Sequence, residues 1–158
     1  MSNSLTPTYA PTVAQTGSGD VLFISVDNGT TFVQLMGTQN IAYSNQKKDF
    51  EETTSTTSVG AYKEFKGTLK DPGMLTFEIT VNIADPGQIA LAAAYDSDTK
   101  LVVKHVYKAP AGFTTGPINT MSAEVEQDPL PGSTAGKVSK SSVSLKISGQ
   151  ITKTPAVV

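Results

Sequence analysis

Residues 71–100 read DPGMLTFEITVNIADPGQIALAAAYDSDTK, and the hydrophobic period changes once inside them. Over 74–83 the period is two. Leu75, Phe77, Ile79, Val81 and Ile83 fall on one side, and Thr76, Glu78, Thr80 and Asn82 on the other. Successive side chains of a strand point to opposite faces, so this is a strand with one dry side and one wet side. Then the period lengthens. Asp85 can cap a helix, Pro86 suits the first helical position, and Gln88 stands where a capping box places its partner. The spacing predicts one helix over 86–96, with Ile89, Leu91, Ala92, Ala93 and Tyr95 as a broad apolar stripe laid on a sheet.

Working outward, VLFISVDNGTTFVQLM (21–36) presents two apolar runs around Asn28 and Gly29, the pair most favoured by a tight type I′ turn. Strands are expected over 20–26 and 31–36, and GTQNIAYS (37–44) adds a third with Ile41 and Tyr43 on one face. Downstream, KLVVKHVYK (100–108) is β-branched and bounded by turns. Residues 117–127 alternate Met121, Ala123 and Val125 with Thr120, Ser122, Glu124 and Glu126. Over 138–151, Val143, Leu145, Ile147 and Ile151 oppose Ser142, Ser144, Lys146, Ser148 and Gln150. The expected fold is mainly β, sandwich- or barrel-like, with one flanking helix, in a domain over 20–152. Residues 1–19 read as a flexible arm and 153–158 as a C-terminal tail.

Between two of these strands lies a stretch over about 45–73 that reads as one long inter-strand loop. It is rich in Ser, Thr and acid, yet carries Phe50, Tyr62 and Phe65 beside Glu51 and Glu52. Connections in compact domains usually run ~4–6 residues, and those beyond ~12–15 are mostly functional or disordered.

Composition narrows the function. A chain of 158 residues suits one domain with one core. All 12 cations are Lys against 14 acids, and the missing Arg disfavours tight nucleic-acid binding, which leans on bidentate guanidinium contacts. Without Cys there is neither disulfide nor thiolate metal site. The N-terminal stretch lacks a basic region followed by an apolar run, and no apolar stretch would span a bilayer. The simplest expectation is a protein made and kept in the cytosol, with no membrane partner.

The local motifs are weak. His105 is the single histidine, mid-strand between Val103 and Tyr107, which suits a structural role. DSD at 96–98 lacks the Gly and final Glu of a calcium loop, and GSGD at 17–20 lacks the third glycine of a phosphate cradle. NGT at 28–30 spells a glycosylation acceptor that the turn already explains. No enzyme chemistry, cofactor or metal is therefore expected. Glu78, Glu124 and Glu126 each fall on the polar face of an alternating strand, where they meet bulk water or a polar surface made by assembly.

Three features together resemble the major tail tube proteins of long-tailed, lambda-like bacteriophages. These are the Ser/Thr/acid-rich insertion before KGTLKDPGMLTFEITVN, the helix in DPGQIALAAAYDSDTKLVVKHVYKAP, and the end AEVEQDPLPGSTAGKVSKSSVSLKISGQIT. The likeness covers about 20–152 and is one of order, spacing and texture. It implies a tail tube fold and a virion protein whose hexameric rings stack into the conduit for genome ejection. Its implied partners are further copies of itself, completion, terminator and tip proteins, and the tape measure protein and DNA that pass through. Phe50, Glu51, Glu52, Tyr62 and Phe65 become ring-stacking residues of the long loop; Glu78, Glu124, Glu126 and Lys146 become candidates for the lumen face. No extra immunoglobulin-like domain, such as some members carry, is expected near Val158, so decoration is not implied. A different class stays open: a β-sandwich carbohydrate- or receptor-binding module of a virion or surface fibre, with a hydrolase more remote.

Overall fold

The alternation over 74–80 recurs along an entire sheet. The computed structural model describes residues 19–130 and 136–158; the expected arm over 1–19 falls almost wholly outside them. The elements are β1 (Val21–Ser25), β2 (Val33–Leu35), β3 (Thr38–Ser44), β4 (Lys47–Glu52), β5 (Phe65–Asp71), β6 (Met74–Thr80), α1 (Pro86–Asp96), β7 (Leu101–Val106), β8 (Ile118–Val125) and β9 (Lys140–Thr154). Seven strands form one antiparallel sheet in the order β2-β1-β7-β8-β9-β6-β3. The sheet curls into a half-barrel, so the fold is mainly β, barrel- or sandwich-like, with one helix.

One face of the curl is dry. Leu22, Ile24, Leu35, Leu75, Phe77, Ile79, Leu101, Val103, Met121, Ala123, Val143, Leu145 and Ile147 form a single core, joined by Leu91 and Ala94 of α1. At roughly 25 cal/mol per Å² of apolar surface removed from water, this contiguous burial is the main term favouring the fold. The helix carries the chain from β6 to β7 and packs on β2, β8 and β1.

Several expectations change in detail. The strand over 74–83 stops at Thr80, and Ile83 is 79% exposed. Past Thr80 the backbone turns to begin α1: Ala84 N–H donates to Asn82 Oδ1 at 3.1 Å and Asp85 N–H to Asn82 O at 3.0 Å. The buried stripe of α1 is Gly87, Gln88, Leu91 and Ala94, one step round from the expected one, with Ile89 exposed. Gly87 explains the rotation, since a Cβ there would meet Gln34 O of β2 at 2.5 Å. Asn28 and Gly29 do hold positive φ, 59° and 89°. Their connection, however, spans 26–32 and is braced by Asp27 Oδ1, which accepts from Ser25 Oγ at 2.6 Å and Thr31 N–H at 2.8 Å.

The largest difference is over 45–73. Instead of a loop, the structure has an arm, the antiparallel hairpin β4–β5, which forms a separate two-stranded sheet. The arm prolongs the β3–β6 ladder beyond a bend at Gly73. Its φ of 76° and the backbone of Ser44, whose carbonyl oxygen any Cβ would strike, leave room for glycine alone. Polar residues hid these strands, because neither face of the arm packs on a core. At the other end β9 runs on to Thr154, and Val157 exchanges hydrogen bonds with Thr115.

Candidate assembly interface

The arm presents its apolar side chains to solvent. Phe50, Val59, Tyr62, Phe65 and Leu69 are all exposed, Tyr62 by 77%. Phe50 pairs with Gly67 across the ladder and Glu52 with Phe65, so Phe50 and Phe65 sit two pairs apart, diagonal to each other on one face, while Tyr62 lies in the tip beyond them. The tip over 53–64 is ordered by its own polar groups. Thr53 N–H donates to Glu64 O at 2.8 Å, Ser58 Oγ to Glu64 Oε2 at 2.9 Å, and Lys63 pairs with Glu52 at 3.3 Å. Glu51 opposes Lys66. These charges are exposed, so each pair adds at most about 1 kcal/mol. The arm is thus shaped without being buried, and aromatic side chains are what dominate hot spots when two proteins meet.

The outer face of β6, β8 and β9 is the second surface. Thr76, Ser122, Ser142, Ser144 and Ser148 make it a hydroxyl-bearing wall. Glu78 accepts from Asn40 Nδ2 at 2.8 Å, and Glu124 stands opposite Lys146 and 3.9 Å from Lys100. Glu126 follows β8, its N–H donating to Ser144 O at 3.0 Å. Lys146 reaches Asp71 at 3.4 Å. The Gly73 N–H, and then Lys146, hold the Asp71 carboxyl below its usual range. Glu78, Glu124, Glu126 and Lys146 therefore share one face of one sheet, whereas the aromatic set occupies the arm.

Helix α1 is fixed by the third predicted group. Asp85 is the N-cap, its Oδ2 accepting from Gln88 N–H at 3.0 Å, with Pro86 as the first helical residue. The Gln88 side chain does not close a capping box. Fully buried, it accepts from Asn82 N–H at 2.8 Å and donates to Met36 O at 3.1 Å and Thr80 O at 2.9 Å, tying α1 to the ends of β2 and β6.

His105 has a role that spacing alone did not show. Its Nδ1 lies 3.0 Å from Tyr43 Oη and its Nε2 3.3 Å from Asp20, and Asn119 donates to both Tyr43 and Tyr107. Since β3 and β7 are not neighbours in the sheet, the Tyr43–His105 bond reaches across the inside of the curl. Burial pushes the His105 pKa down despite Asp20, and burial pushes that of Tyr43 up. The network is inward and fully partnered. Among the described residues, no group of three His, Asp or Glu side chains could hold a metal, and no helix is long and apolar enough to cross a membrane.

No family model matches the chain, and no curated protein matches it in sequence. Solved structures do. A chain of the anti-feeding prophage baseplate, symmetrised sixfold, has a TM-score of 0.66 at 10% identity, over 94% of this chain and 98% of that one. A chain of the anti-feeding prophage cap, which terminates the tube, has a TM-score of 0.62 at 12% identity, over 99% of this chain and 100% of that one. The fold is therefore shared over essentially the full length of each chain.

Proposed function

We propose that this chain is a structural subunit of a phage tail-type particle, six copies to a ring, with rings stacked into the conduit through which the genome leaves. The observation that carries this reading is the arm. An exposed hairpin with three aromatic side chains, projecting from a fold shared end to end with chains of a baseplate and a tube cap, suits a subunit that docks on its neighbours. The hydroxyl wall of β6, β8 and β9 would line the lumen, where an Arg-free, weakly acidic surface offers DNA phosphate nothing to hold. Open sheet edges at β2 and β3 would be covered by neighbouring copies instead of inviting disordered aggregation. The partners are then more copies of this chain, the proteins that complete, terminate and tip the tail, and a tape measure protein within it. The place of action is the virion.

Electron microscopy of the concentrated protein tests the assembly, with rings or tubes expected. Replacing 53–64 by an Asn-Gly turn keeps the Glu52–Phe65 pair and should leave a folded monomer that no longer polymerises, because loop length affects closure entropy only weakly. Polymerisation at the native rate would remove the arm from the mechanism. For the lumen, Glu78→Lys should give tubes that retain DNA at low salt and release it as salt rises. Tubes that pass DNA unchanged would mean the sheet faces the other way.

A further inference from the structure

At Gly73 the ladder divides. β6 pairs with β9 from Met74 to Thr80, but β5 turns away to pair with β4, and β9 continues through Gly149 bonded to β8 alone among the described residues. The fork encloses a cleft of about 1130 Å³ walled by two strand edges, those of β5 and β9, that lack a ladder partner among the described residues. Lys47, Lys48, Lys70 and Lys153 line this cleft, and none of them makes an ion pair among the described residues. Asp71, the one carboxylate in the lining, is engaged by Gly73 N–H and Lys146 and faces Lys47 directly across the ladder, so Lys48, Lys70 and Lys153 are the lysines left uncompensated among the described residues. Lys48 and Lys70 are direct cross-strand partners. Like charges so placed destabilise a ladder, and a lone two-stranded ribbon has little stability to spare. The base of the arm is therefore electrostatically incomplete and calls for an extended anion.

The same molecule carries one. Glu124, near the end of β8 and 3.9 Å from Lys100, alternates with Glu126 and Asp128 beyond the strand, and all three are exposed. This segment runs alongside the β6–β9 ladder: Glu124 opposes Lys146, level with Met74, Glu126 N–H donates to Ser144 O, and Gln127 Nε2 to Ser142 O, where Ser142 opposes Glu78. The lysine cleft, walled by 149–153 of β9, lies on the other side of Gly73, so the basic and acidic surfaces of one copy are separate along the strand direction. Two unlike surfaces that complement each other join copies head to tail, which yields closed rings or open filaments.

We propose that the cleft at the base of the arm takes residues 124–128 of a second copy of this chain, carboxylates against lysines, along its free strand edges. This rests on the reading that the copies assemble. Docking of 124–128 takes Glu124 and Glu126 off the lumen wall, so Glu78, on β6, is the carboxylate that reads the channel separately. The test is sedimentation velocity on the full chain and two variants, Lys48→Glu/Lys70→Glu and Glu124→Lys/Glu126→Lys, with circular dichroism to show that each is folded. Each variant alone should stay monomeric at concentrations where the native chain assembles, and an equimolar mixture should assemble again, because each reversed surface then finds its complement. Native assembly should also weaken between about 0.05 M and about 0.5 M salt. If the native chain assembles and either variant alone does so equally well, or the mixture stays monomeric, the cleft contact is overturned while the assembly reading stands. A native chain that never assembles overturns both.

Discussion

Past a bend at Gly73, β3 and β6 are continued by β4 and β5, so one antiparallel pairing passes through two environments. Inside the seven-stranded sheet, β6 alternates buried and half-buried positions along its whole length; in the arm, every residue of β4 is exposed. Backbone pairing is similar in both, and hydrogen bonds traded against water contribute only about 0.5–1.5 kcal/mol each. What separates the regions is apolar burial. The core stands on its own chain, whereas the arm has aromatic residues and no core, which is the condition of half an interface.

Breaking the core should have the largest effect. Leu145→Ala empties a fully buried site between β6 and β8 and should cost about 2–5 kcal/mol, read as a lower midpoint in denaturant. Asp85→Ala removes the cap where the sheet passes into α1, at about 0.5–2 kcal/mol. The His105 network predicts a pH effect. Its folded pKa lies below the ordinary histidine value of 6.5, so the unfolded chain takes up the proton first. The stabilisation is complete above about 6.5 and is lost as pH falls toward the folded pKa; His105→Gln should abolish that part of the acid sensitivity. In the arm, Phe50→Ala with Phe65→Ala should shift monomer stability by no more than about 0.5 kcal/mol for each exposed site, yet reduce polymerisation. A large loss of monomer stability there would show that the arm packs on its own chain after all.

The core strands and α1 were legible because burial imposes a period on the sequence. Leu75, Phe77 and Ile79, or Val143, Leu145 and Ile147, could alternate for no other reason. The arm was not, since nothing buries Lys47 to Glu52 and pattern reading had only Ser, Thr and charge to work with. Phe50 and Phe65, noticed as loop aromatics, were in fact strand residues without an inside. The rotation of α1 turned on a close approach at Gly87, which no periodicity reports. The lysine cleft depends on a fork between β5 and β9, residues roughly eighty positions apart in the chain, and only the fold brings them together.

β9 belongs to both regions. Its 15 residues, ~50 Å when extended, pair with β6 and β8 over the core and then form a wall of the cleft. If a neighbour pulls on that wall along the strand, the tension enters the core as shear, and the ladder bonds on both sides must yield together instead of unzipping one at a time. In an assembly of such copies, β9, the longest strand among the described residues, would serve as a tie rod, carrying axial force from one subunit's cleft into the ladders it shares with β6 and β8.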